Sequence, residues 1–365
     1  MTAEVFFADE QVNVWHGDNL KVLAAMADAS VDAVIGDPPY ALEFMSHDWD
    51  TFGGGPAGFQ SWCEVWAREC LRVLKPGGHM LMFGGSRTWH RLACAVEDAG
   101  FEIRDSIAWL YGQGMPKSLN LKGDWKGWGT TLKPAFEPIV VARKPLAGTV
   151  AATVAEFRTG ALHIDACRVG DGSESKSRDG ERSRESRYKT RGATDFGMAP
   201  GVRVGENGRW PTNVVLDDAM AEGLDEQSGV LKSGANPIRR NSDKFSSTFS
   251  PYVGRKELVA ARGADSGGAS RFFPVFRWQA KASAKERPVV DGVRHPTPKP
   301  LALMRWLVRL VTPAGGLVLD PFAGSGTTVE ACLLEGMRCV AVEQMADYLP
   351  LIQARINRVV APLSA

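Results

Sequence analysis

The residues that could carry chemistry include a short acidic segment, Asp37-Pro38-Pro39-Tyr40, which follows Val31–Ile35, a predicted buried strand. Its two consecutive prolines fix φ and remove two backbone donors, so the segment is stiff and its carbonyl oxygens lack partners. The Asp37 carboxylate and the Pro38 carbonyl are two acceptors for the two hydrogens of an amino group, and Tyr40 offers a flat face for stacking a base. Accepting both hydrogens would expose the nitrogen lone pair to an electrophile. The alternative interpretation is a plain turn.

A glycine-rich turn near the other end of the sequence is a candidate ligand loop, with the residues Asp320-Pro321-Phe322-Ala323-Gly324-Ser325-Gly326-Thr327. Glycines let a backbone approach a ligand closely, and the amides that begin the following helix favour an anionic group. The turn has neither the Gly-Lys-Ser/Thr of a Walker A loop nor a full GxGxxG motif, so a dinucleotide is not indicated. Glu343 ends the next predicted strand, where an acidic side chain can bind ribose hydroxyls. The alternatives are a tight turn and an exposed carboxylate.

Positive charge is concentrated in the middle of the chain. Residues Lys232–Arg287 contain twelve Lys and Arg against four Asp and Glu, a local charge of +8, whereas the whole chain carries +1. Such a segment predicts a polyanion partner, although a solvated loop is the alternative. The candidate phosphate contacts are Arg239, Arg240, Lys244, Arg255, Lys256, Arg271 and Arg277.

The elements that must position these residues fall into three zones. Residues 1–147 and 295–365 alternate strands with helices, which indicates an α/β fold with a parallel, doubly wound sheet. The predicted strands are Asn13–His16, Val31–Ile35, His79–Phe83, Phe101–Leu110, Pro138–Ala142, Gly316–Leu319 and Arg338–Val342. The predicted helices are Leu20–Ala27, Phe59–Leu74, Ser86–Ala99, Pro300–Val311, Thr327–Glu335 and about 346–359, with Lys75-Pro76-Gly77-Gly78 as a helix terminator.

The middle zone, residues 148–294, breaks this rhythm and predicts an inserted region of irregular structure. Gly170–Arg191 is too polar to bury a core and predicts a mobile stretch. Short apolar islands follow it at Asn213–Leu216 and Phe272–Trp278. If the outer zones share one sheet, the order of elements is a permutation of the usual one, with the chain termini close together.

Composition excludes several classes of protein. No apolar run approaches the roughly 20 residues of a membrane span, and the first residues do not resemble a secretory signal. The six cysteines form no CxxC pair, which argues against a zinc ribbon or a disulfide framework. We therefore expect a reduced, cytoplasmic protein without a metal site, in which Cys63 and Cys70 are core residues.

Taken together, the two loops resemble those of the amino-directed DNA methyltransferases, which make N6-methyladenine or N4-methylcytosine. The catalytic loop comes first and the glycine loop last, with a recognition region between, as in the beta class of that family. His295-Pro296-Thr297-Pro298-Lys299-Pro300 is similar to the family's His-Pro-Thr-x-Lys-Pro element, although it could be a plain linker. Gly17-Asp18 resembles its acidic turn at the cofactor adenine. The likeness covers about the first 145 and the last 70 residues, and it is less specific at Tyr111–Lys117 and Arg271–Lys281.

This resemblance implies a Rossmann-like, circularly permuted sheet that binds S-adenosylmethionine, with a target-recognition region inserted at 148–294. The catalytic residues would be Asp37, Pro38, Pro39 and Tyr40. Glu343 would bind the ribose, Asp18 the adenine, and Thr297 with Lys299 the cofactor carboxylate. The full cofactor set is Asp18, Asp37, Thr297, Lys299, Asp320, Phe322, Ala323, Gly324, Ser325, Gly326, Thr327 and Glu343.

The implied reaction is a direct in-line methyl transfer to a base flipped out of double-stranded DNA. Asp rather than Ser at position 37 favours adenine N6, with cytosine N4 as the alternative. An RNA or protein-amide methyltransferase would carry Asn-Pro-Pro-Tyr with its cofactor loop first, in the opposite order. A catalytically silent DNA-binding regulator is the alternative from another class. The resemblance also favours a homodimer.

Overall fold

The computed structural model describes residues 3–42, 50–112, 114, 118–170, 208–233, 265–276 and 287–360. The chain forms two compact units. The first comprises Met1–Cys167, Thr212–Met220 and Val275–Ala365, and the second comprises Arg168–Pro211 and Ala221–Pro274. Most of the predicted mobile stretch lies outside the described residues, as do the candidate phosphate contacts Arg239, Arg240, Lys244, Arg255, Lys256 and Arg277.

A sheet of nine described strands organises the first unit, in the order β1-β2-β11-β10-β3-β4-β6-β5-β7. Its strands are β1 Glu4–Ala8, β2 Val12–His16, β3 Val31–Gly36, β4 Leu74–Phe83, β5 Glu102–Leu110, β6 Phe136–Arg143, β7 Val214–Leu216, β10 Leu317–Asp320 and β11 Arg338–Glu343. Strand β10 pairs in parallel with β3, and β11 pairs in parallel with β2. The two ends of the chain therefore share one sheet, which confirms the predicted permutation.

The described helices are α1 Asn19–Ala25, α2 Gly55–Val73, α3 Trp89–Asp98, α4 Val150–Phe157, α5 Asp218–Ser228, α6 Leu301–Val311, α7 Thr327–Leu334 and α8 Leu349–Val360. Helices α1, α2 and α3 contribute to one core cluster, and α6, α7 and α8 contribute to a second one. Cys63 and Cys70 of α2 are buried in the first cluster, as predicted. No helix in the described part of the chain is long and apolar enough to cross a membrane.

Adjacent strands β3 and β10 mark the point at which the winding of the sheet reverses. The helix that follows β3 packs in one core cluster, and the helix that follows β10 packs in the other. In open α/β sheets a crevice forms at such a point, outside the carboxyl ends of the strands, and ligands bind there. This fold places the loops after Gly36 and Asp320 on the two sides of that crevice.

The sheet is mixed rather than wholly parallel, which corrects the prediction for its far side. Strand β6 runs antiparallel to both β4 and β5, and β1 runs antiparallel to β2. The described part of the connection between β5 and β6 contains no α-helix, so the chain returns as a hairpin instead of crossing over.

Two local predictions were also wrong. Lys75-Pro76-Gly77-Gly78 lies inside β4 and does not separate it from α2, which ends at Val73. The register shifts there, because Leu74 and His79 of β4 pair with Val31 and Ala33 of β3, so the extra residues form a bulge. The island at Asn213–Leu216, predicted as irregular, supplies β7, which pairs in parallel with β5 at the edge of the sheet.

The second unit contains a small antiparallel ladder, β8 Leu231–Ser233 with β9 Asp265–Gly267. The Asp225 carboxylate accepts hydrogen bonds from the backbone and hydroxyl of Ser270, both at 2.7 Å. Arg271 donates to the carbonyls of Gly267 and Gly268, and its guanidinium lies 4.2 Å from the centre of the Phe272 ring.

Candidate active site

The catalytic-loop candidate leaves β3 beside the end of β10. Gly36 is the last residue of β3, and a Cβ atom there would lie 3.2 Å from Asp320 Oδ1 and 3.4 Å from Pro321 Cδ. A larger residue at position 36 would push the two loops apart. Glycine therefore allows the acidic segment and the glycine-rich turn to face each other across the crevice.

A buried carboxylate holds the catalytic loop in place. Asp50, 1% exposed, accepts hydrogen bonds from the backbone amides of Tyr40 and Ala41 at 2.8 Å and of Leu42 at 3.0 Å. Thr88 Oγ1 donates to the Tyr40 carbonyl at 2.7 Å. The rigidity inferred from the prolines therefore has a second source, which no sequence motif indicated.

Three polar side chains meet around Asp37. Lys299 Nζ lies 2.8 Å from Asp37 Oδ2 and 3.1 Å from Glu137 Oε2, and it donates to the Tyr40 hydroxyl at 3.0 Å. The Tyr40 hydroxyl in turn donates to Asp37 Oδ1 at 2.6 Å and lies 3.3 Å from Glu137 Oε2. We call Asp37, Tyr40, Glu137 and Lys299 the catalytic-loop cluster. Glu137 is the second residue of β6, and no sequence motif indicated it.

The protonation states in this cluster follow from burial and charge. Burial raises the pKa of the Tyr40 hydroxyl well above its usual value, and the Asp37 and Glu137 carboxylates raise it further. Burial alone would lower the pKa of Lys299, but the same two carboxylates raise it above its ordinary value. Tyr40 is therefore a neutral donor and Lys299 a cation, and two carboxylates share this one positive charge.

The glycine-rich turn and Glu343 form the opposite side of the crevice. Gly324 and Gly326 have φ of 53° and 80°, and Gly326 caps α7. Glu343 Oε2 accepts from Gly324 N and Oε1 accepts from Met345 N, both at 2.7 Å. Each carboxylate oxygen can accept a second hydrogen bond, so Glu343 can bind hydroxyl donors while it holds the turn.

The predicted adenine residue lies next to this turn. Asp18 caps α1 by accepting from Leu20 N at 2.9 Å, and Gly17 N donates to the backbone carbonyl of Glu343 at 2.9 Å. Asn19 Nδ2 lies 3.4 Å from the Pro321 carbonyl. The structure thus brings Asp18, Glu343 and the glycine-rich turn into one neighbourhood.

Two acidic groups in the crevice have unusual pKa values. Burial raises the pKa of Asp320 to about 7, against hydrogen bonds from Thr328 and the Phe322 amide that lower it. Burial also raises the pKa of Glu343 to about 7, although backbone amides, including that of Gly324, lower it. A cationic ligand would stabilise the ionised form of both. Together with Asp37 they fit S-adenosylmethionine, whose sulfonium and ammonium groups are positive.

The remaining predicted cofactor residues divide by burial. Ala323, Ser325 and Thr327 are buried within the turn, and Phe322 packs against Trp66 and Trp62 at ring distances of 5.2 and 5.8 Å. In the His295-to-Pro300 element, Thr297 is exposed and its amide donates to His295 Nδ1 at 3.3 Å. Lys299 contacts the catalytic-loop cluster.

His295 links that element to the glycine-rich turn. A Cβ atom at Gly324 would lie 3.0 Å from His295 Nε2, and the imidazole meets the Tyr348 ring edge-on at 4.7 Å. Burial lowers the pKa of His295 to about 4, although the Asp37 carboxylate raises it. His295 is therefore neutral near pH 7 and packs against the turn.

Comparison with known proteins agrees with this geometry. The sequence model of the DNA methylase family N6_N4_Mtase matches residues 31–354. The chain is similar to the Type II methyltransferase M.HindIII of Haemophilus influenzae, with 24% identity over 366 residues that cover 87% of this chain and 86% of that protein. It is also similar to the Type II methyltransferase M.HinfI of Haemophilus influenzae, with 28% identity over 107 residues that cover 26% and 30%.

Among solved structures, the PvuII DNA methyltransferase (cytosine-N4-specific) has a TM-score of 0.53 at 15% identity. The match covers 96% of this chain and 88% of that one. This likeness confirms the fold class.

Proposed function

The chain belongs to the N6_N4_Mtase family of DNA methylases, and from that premise we propose that it methylates N6 of adenine in double-stranded DNA, with S-adenosylmethionine as the methyl donor. The observation that carries the proposal is the position of Asp37 beside Asp320, at the carboxyl ends of two adjacent parallel strands. This arrangement faces an amino-group acceptor loop toward a turn suited to a nucleoside ligand.

S-adenosylmethionine supplies an electrophilic methyl group. The chain's own contribution is to hold the target amino group, for which the Asp37 carboxylate and the Pro38 carbonyl are the acceptors. Both hydrogens would then be directed away from the lone pair of the nitrogen, which would form the new N–C bond as the methyl–sulfur bond breaks and the neutral thioether leaves. One of the two amino protons would pass to the Asp37 carboxylate that accepts its hydrogen bond. Tyr40 stacks on the flipped base, held by Thr88 and Asp50 through its backbone. No cysteine nucleophile is required.

Glu137 and Lys299 act as positioning residues in this proposal. When no DNA base is bound, the two oxygens of Asp37 accept hydrogen bonds from the Tyr40 hydroxyl and from the Lys299 ammonium. An arriving amino group competes with those donors for the carboxylate. Glu137 lies 3.3 Å from the Tyr40 hydroxyl and 3.1 Å from the Lys299 ammonium. It can therefore accept hydrogen bonds from both groups when Asp37 binds the amino group of the target base.

The proposed cofactor contacts keep the assignment made from the sequence. Glu343 binds the ribose hydroxyls, Asp18 the adenine, and the turn from Asp320 to Thr327 the methionine end. Thr297 and Lys299 near the cofactor carboxylate remain a prediction. So do the DNA contacts of the basic segment, the inserted recognition region at 148–294, the cytoplasmic location and the homodimer.

Cytosine N4 is the second candidate acceptor, because its amino group offers the same two hydrogens to Asp37 and Pro38. One solved structure with a similar fold carries a cytosine-N4-specific name, but 15% identity does not transfer that specificity. Asp at position 37 supports adenine through the family resemblance.

The decisive experiment follows tritiated methyl groups from S-adenosylmethionine into duplex DNA, followed by digestion and identification of the labelled nucleoside. We expect N6-methyldeoxyadenosine. N4-methyldeoxycytidine would select the second candidate, and cofactor binding without transfer to any DNA would indicate a silent regulator.

Asp37→Ala tests the assignment of the loop. We expect transfer to fall by at least about 10³-fold, as for other groups that stabilise a transition state, while most of the S-adenosylmethionine affinity is retained because Asp320, Glu343 and the glycine-rich turn are unchanged. Asp28→Asn is the matched control, because Asp28 is an exposed carboxylate paired with Arg72 in the turn before β3. Full activity in Asp37→Ala would refute the proposed role of the loop.

A further inference from the structure

The segment between β5 and β6 contains a hairpin that the mechanism does not use. Asn120 and Gly129 form a bridge, and Leu121 N donates to the Trp128 carbonyl at 3.0 Å. Thr130 Oγ1 accepts from Leu119 N, and Ser118 Oγ accepts from Thr130 N, both at 3.0 Å. We call residues 118–133 the tryptophan hairpin. Backbone and side-chain hydrogen bonds join its two arms, so it is a defined hairpin.

Two indole rings stand at its tip. Trp125 and Trp128 are 59% and 61% exposed, and their rings meet edge-on with centroids 5.5 Å apart. Large apolar side chains exposed together usually mark a contact surface, and indoles combine an apolar face with a polar edge. A surface cavity of about 430 Å³ lies beside them, with Lys122, Lys126 and Trp128 among its lining residues.

The charge of the tip favours a nucleic acid over a protein partner. The hairpin carries Lys122, Lys126 and Lys133 against the single acid Asp124. Within the described residues neither Lys122 nor Lys126 makes an ion pair, so both are available to phosphates. Lysine is depleted from protein–protein interfaces, whereas DNA interfaces are strongly positive.

The hairpin begins beside the candidate active site. Tyr111 N, just after β5, donates to the Ala135 carbonyl at 3.0 Å, and Glu137 of the catalytic-loop cluster follows two residues later. Trp128 is nine residues before Glu137, so the chain can separate them by at most about 30 Å. That distance is within one turn of duplex DNA, about 34–36 Å.

We propose that the tryptophan hairpin is a second DNA-contacting element, separate from the basic insertion. Lys122 and Lys126 contact phosphates within one helical turn of the target base, and Trp125 and Trp128 pack against the sugar or base next to those phosphates. The inference rests on the proposed DNA methyltransferase function and adds the surface that holds the duplex close to the catalytic-loop cluster.

The lysines are tested by the salt dependence of DNA binding, measured by fluorescence anisotropy with random-sequence duplexes of about 40 base pairs. The slope of log K against log salt is negative, and each lost phosphate contact reduces its magnitude by about 0.9, so Lys122→Gln with Lys126→Gln should reduce the magnitude by about 1.8. Arg338→Gln is the matched control, because Arg338 is exposed at the opposite, amino-terminal end of β11. An unchanged slope in the double variant would overturn the proposal.

The indoles are tested by Trp125→Ala with Trp128→Ala. We expect the Kd for the same duplexes to rise by about 5- to 150-fold, as for the loss of one stacked base. S-adenosylmethionine affinity and the Tm should not change, because both side chains are exposed. Phe6→Ala, which removes an exposed aromatic from the edge strand β1, should leave the Kd unchanged.

The two proposals fail separately. If the unsubstituted protein transfers no methyl group to DNA, the proposed function is wrong. If it methylates DNA while the tryptophan variant binds the duplex normally, the hairpin proposal alone is wrong. Normal DNA binding with an altered sedimentation coefficient would identify the hairpin as a protein contact and would equally overturn the proposal.

Discussion

Between α7 and α8, Glu330 pairs with Arg355, and Arg358 lies 4.0 Å from the same carboxylate. At the carboxyl ends of the strands, the single ammonium of Lys299 faces the carboxylates of Asp37 and Glu137. The first group is closed, since the side chains of Arg355 and Glu330 are 1% and 7% exposed. The second is open, since those of Asp37 and Glu137 are 23% and 20% exposed.

This difference separates an ion pair that supports the fold from one that is poised for a ligand. In the first group the buried Glu330 carboxylate is neutralised by the buried Arg355, and Arg358 adds a second, more distant cation. A cluster with two carboxylates to one cation has acceptor capacity left over, at the edge of a crevice, where an amino group can use it. The contrast predicts that stability should respond to the first group and catalysis to the second.

The largest effect should come from breaking the closed pair. Arg355→Met leaves Glu330 buried beside a more distant arginine, and loss of one partner of such a pair costs about 3–5 kcal/mol. Urea denaturation should show this loss, while transfer per folded molecule stays normal. Glu330→Leu combined with Arg355→Met should recover most of it, because no charge is left buried alone. A double variant as unstable as the single one would contradict this account.

Lys299→Met should have the opposite effect to Arg355→Met: a large loss of catalysis and a small loss of stability. Without the ammonium, the Asp37 and Glu137 carboxylates repel each other, and Asp37 is no longer held in place for the amino group. We expect kcat/KM at pH 7 to fall by about 10²- to 10³-fold.

Glu137→Gln in the Lys299→Met background is the matched test. It removes the repulsion, so kcat/KM should recover in part relative to Lys299→Met. A purely structural role for Lys299 would leave the double variant as inactive as the single one.

Glu343 is a third case beside these two groups, because it is a buried acid that has no paired cation among the described residues. Burial raises its pKa from 4.5 to about 7. An acid whose pKa is raised by folding favours the folded state at low pH, and this contribution is lost as pH rises from about 4.5 to 7. The loss is on the order of 3 kcal/mol above pH 7.

Glu343→Gln should remove that dependence. Because the buried imidazoles of His295 and His79, both with pKa lowered to about 4, impose the opposite trend, the useful quantity is the Tm difference between variant and parent. That difference should move in favour of the variant between pH 4.5 and 7.5. A difference independent of pH would show that Glu343 is not protonated by burial.

The sequence predicted the parts of this site that lie in continuous segments. Asp37 and the glycine-rich turn each follow a strand, Glu343 is the last residue of one, and the reversal of winding at β3 and β10 brings them together. The order of the three zones in the sequence also predicted that both ends of the chain share one sheet. The antiparallel direction of β6 could not be predicted, because nothing in the sequence between β5 and β6 distinguishes a hairpin from a crossover.

Residues that act across the fold left no local pattern. Glu137 reaches Lys299 because β6 begins next to the His295-to-Pro300 element, and an isolated acid at the start of a strand looks like a surface residue. The bulge at Lys75–Gly78 has the composition of a helix terminator, and only its pairing with β3 shows that it belongs to a strand.

Asp50 also acts on a part of the site through the fold and not through a sequence motif, and its substitution should have the smallest of the expected effects. Its carboxylate accepts from three consecutive amides, one of them that of Ala41, whose φ is 55°. Asp50→Asn keeps the side-chain volume but replaces one acceptor oxygen with a donor that faces these amides, so the loop after Pro39 should loosen. We expect kcat to fall by about tenfold with little change in S-adenosylmethionine affinity, because the glycine-rich turn is untouched. Methyl-transfer kinetics and calorimetric cofactor titration measure the two effects. Equal losses in both would place Asp50 in the general fold rather than in the positioning of Tyr40.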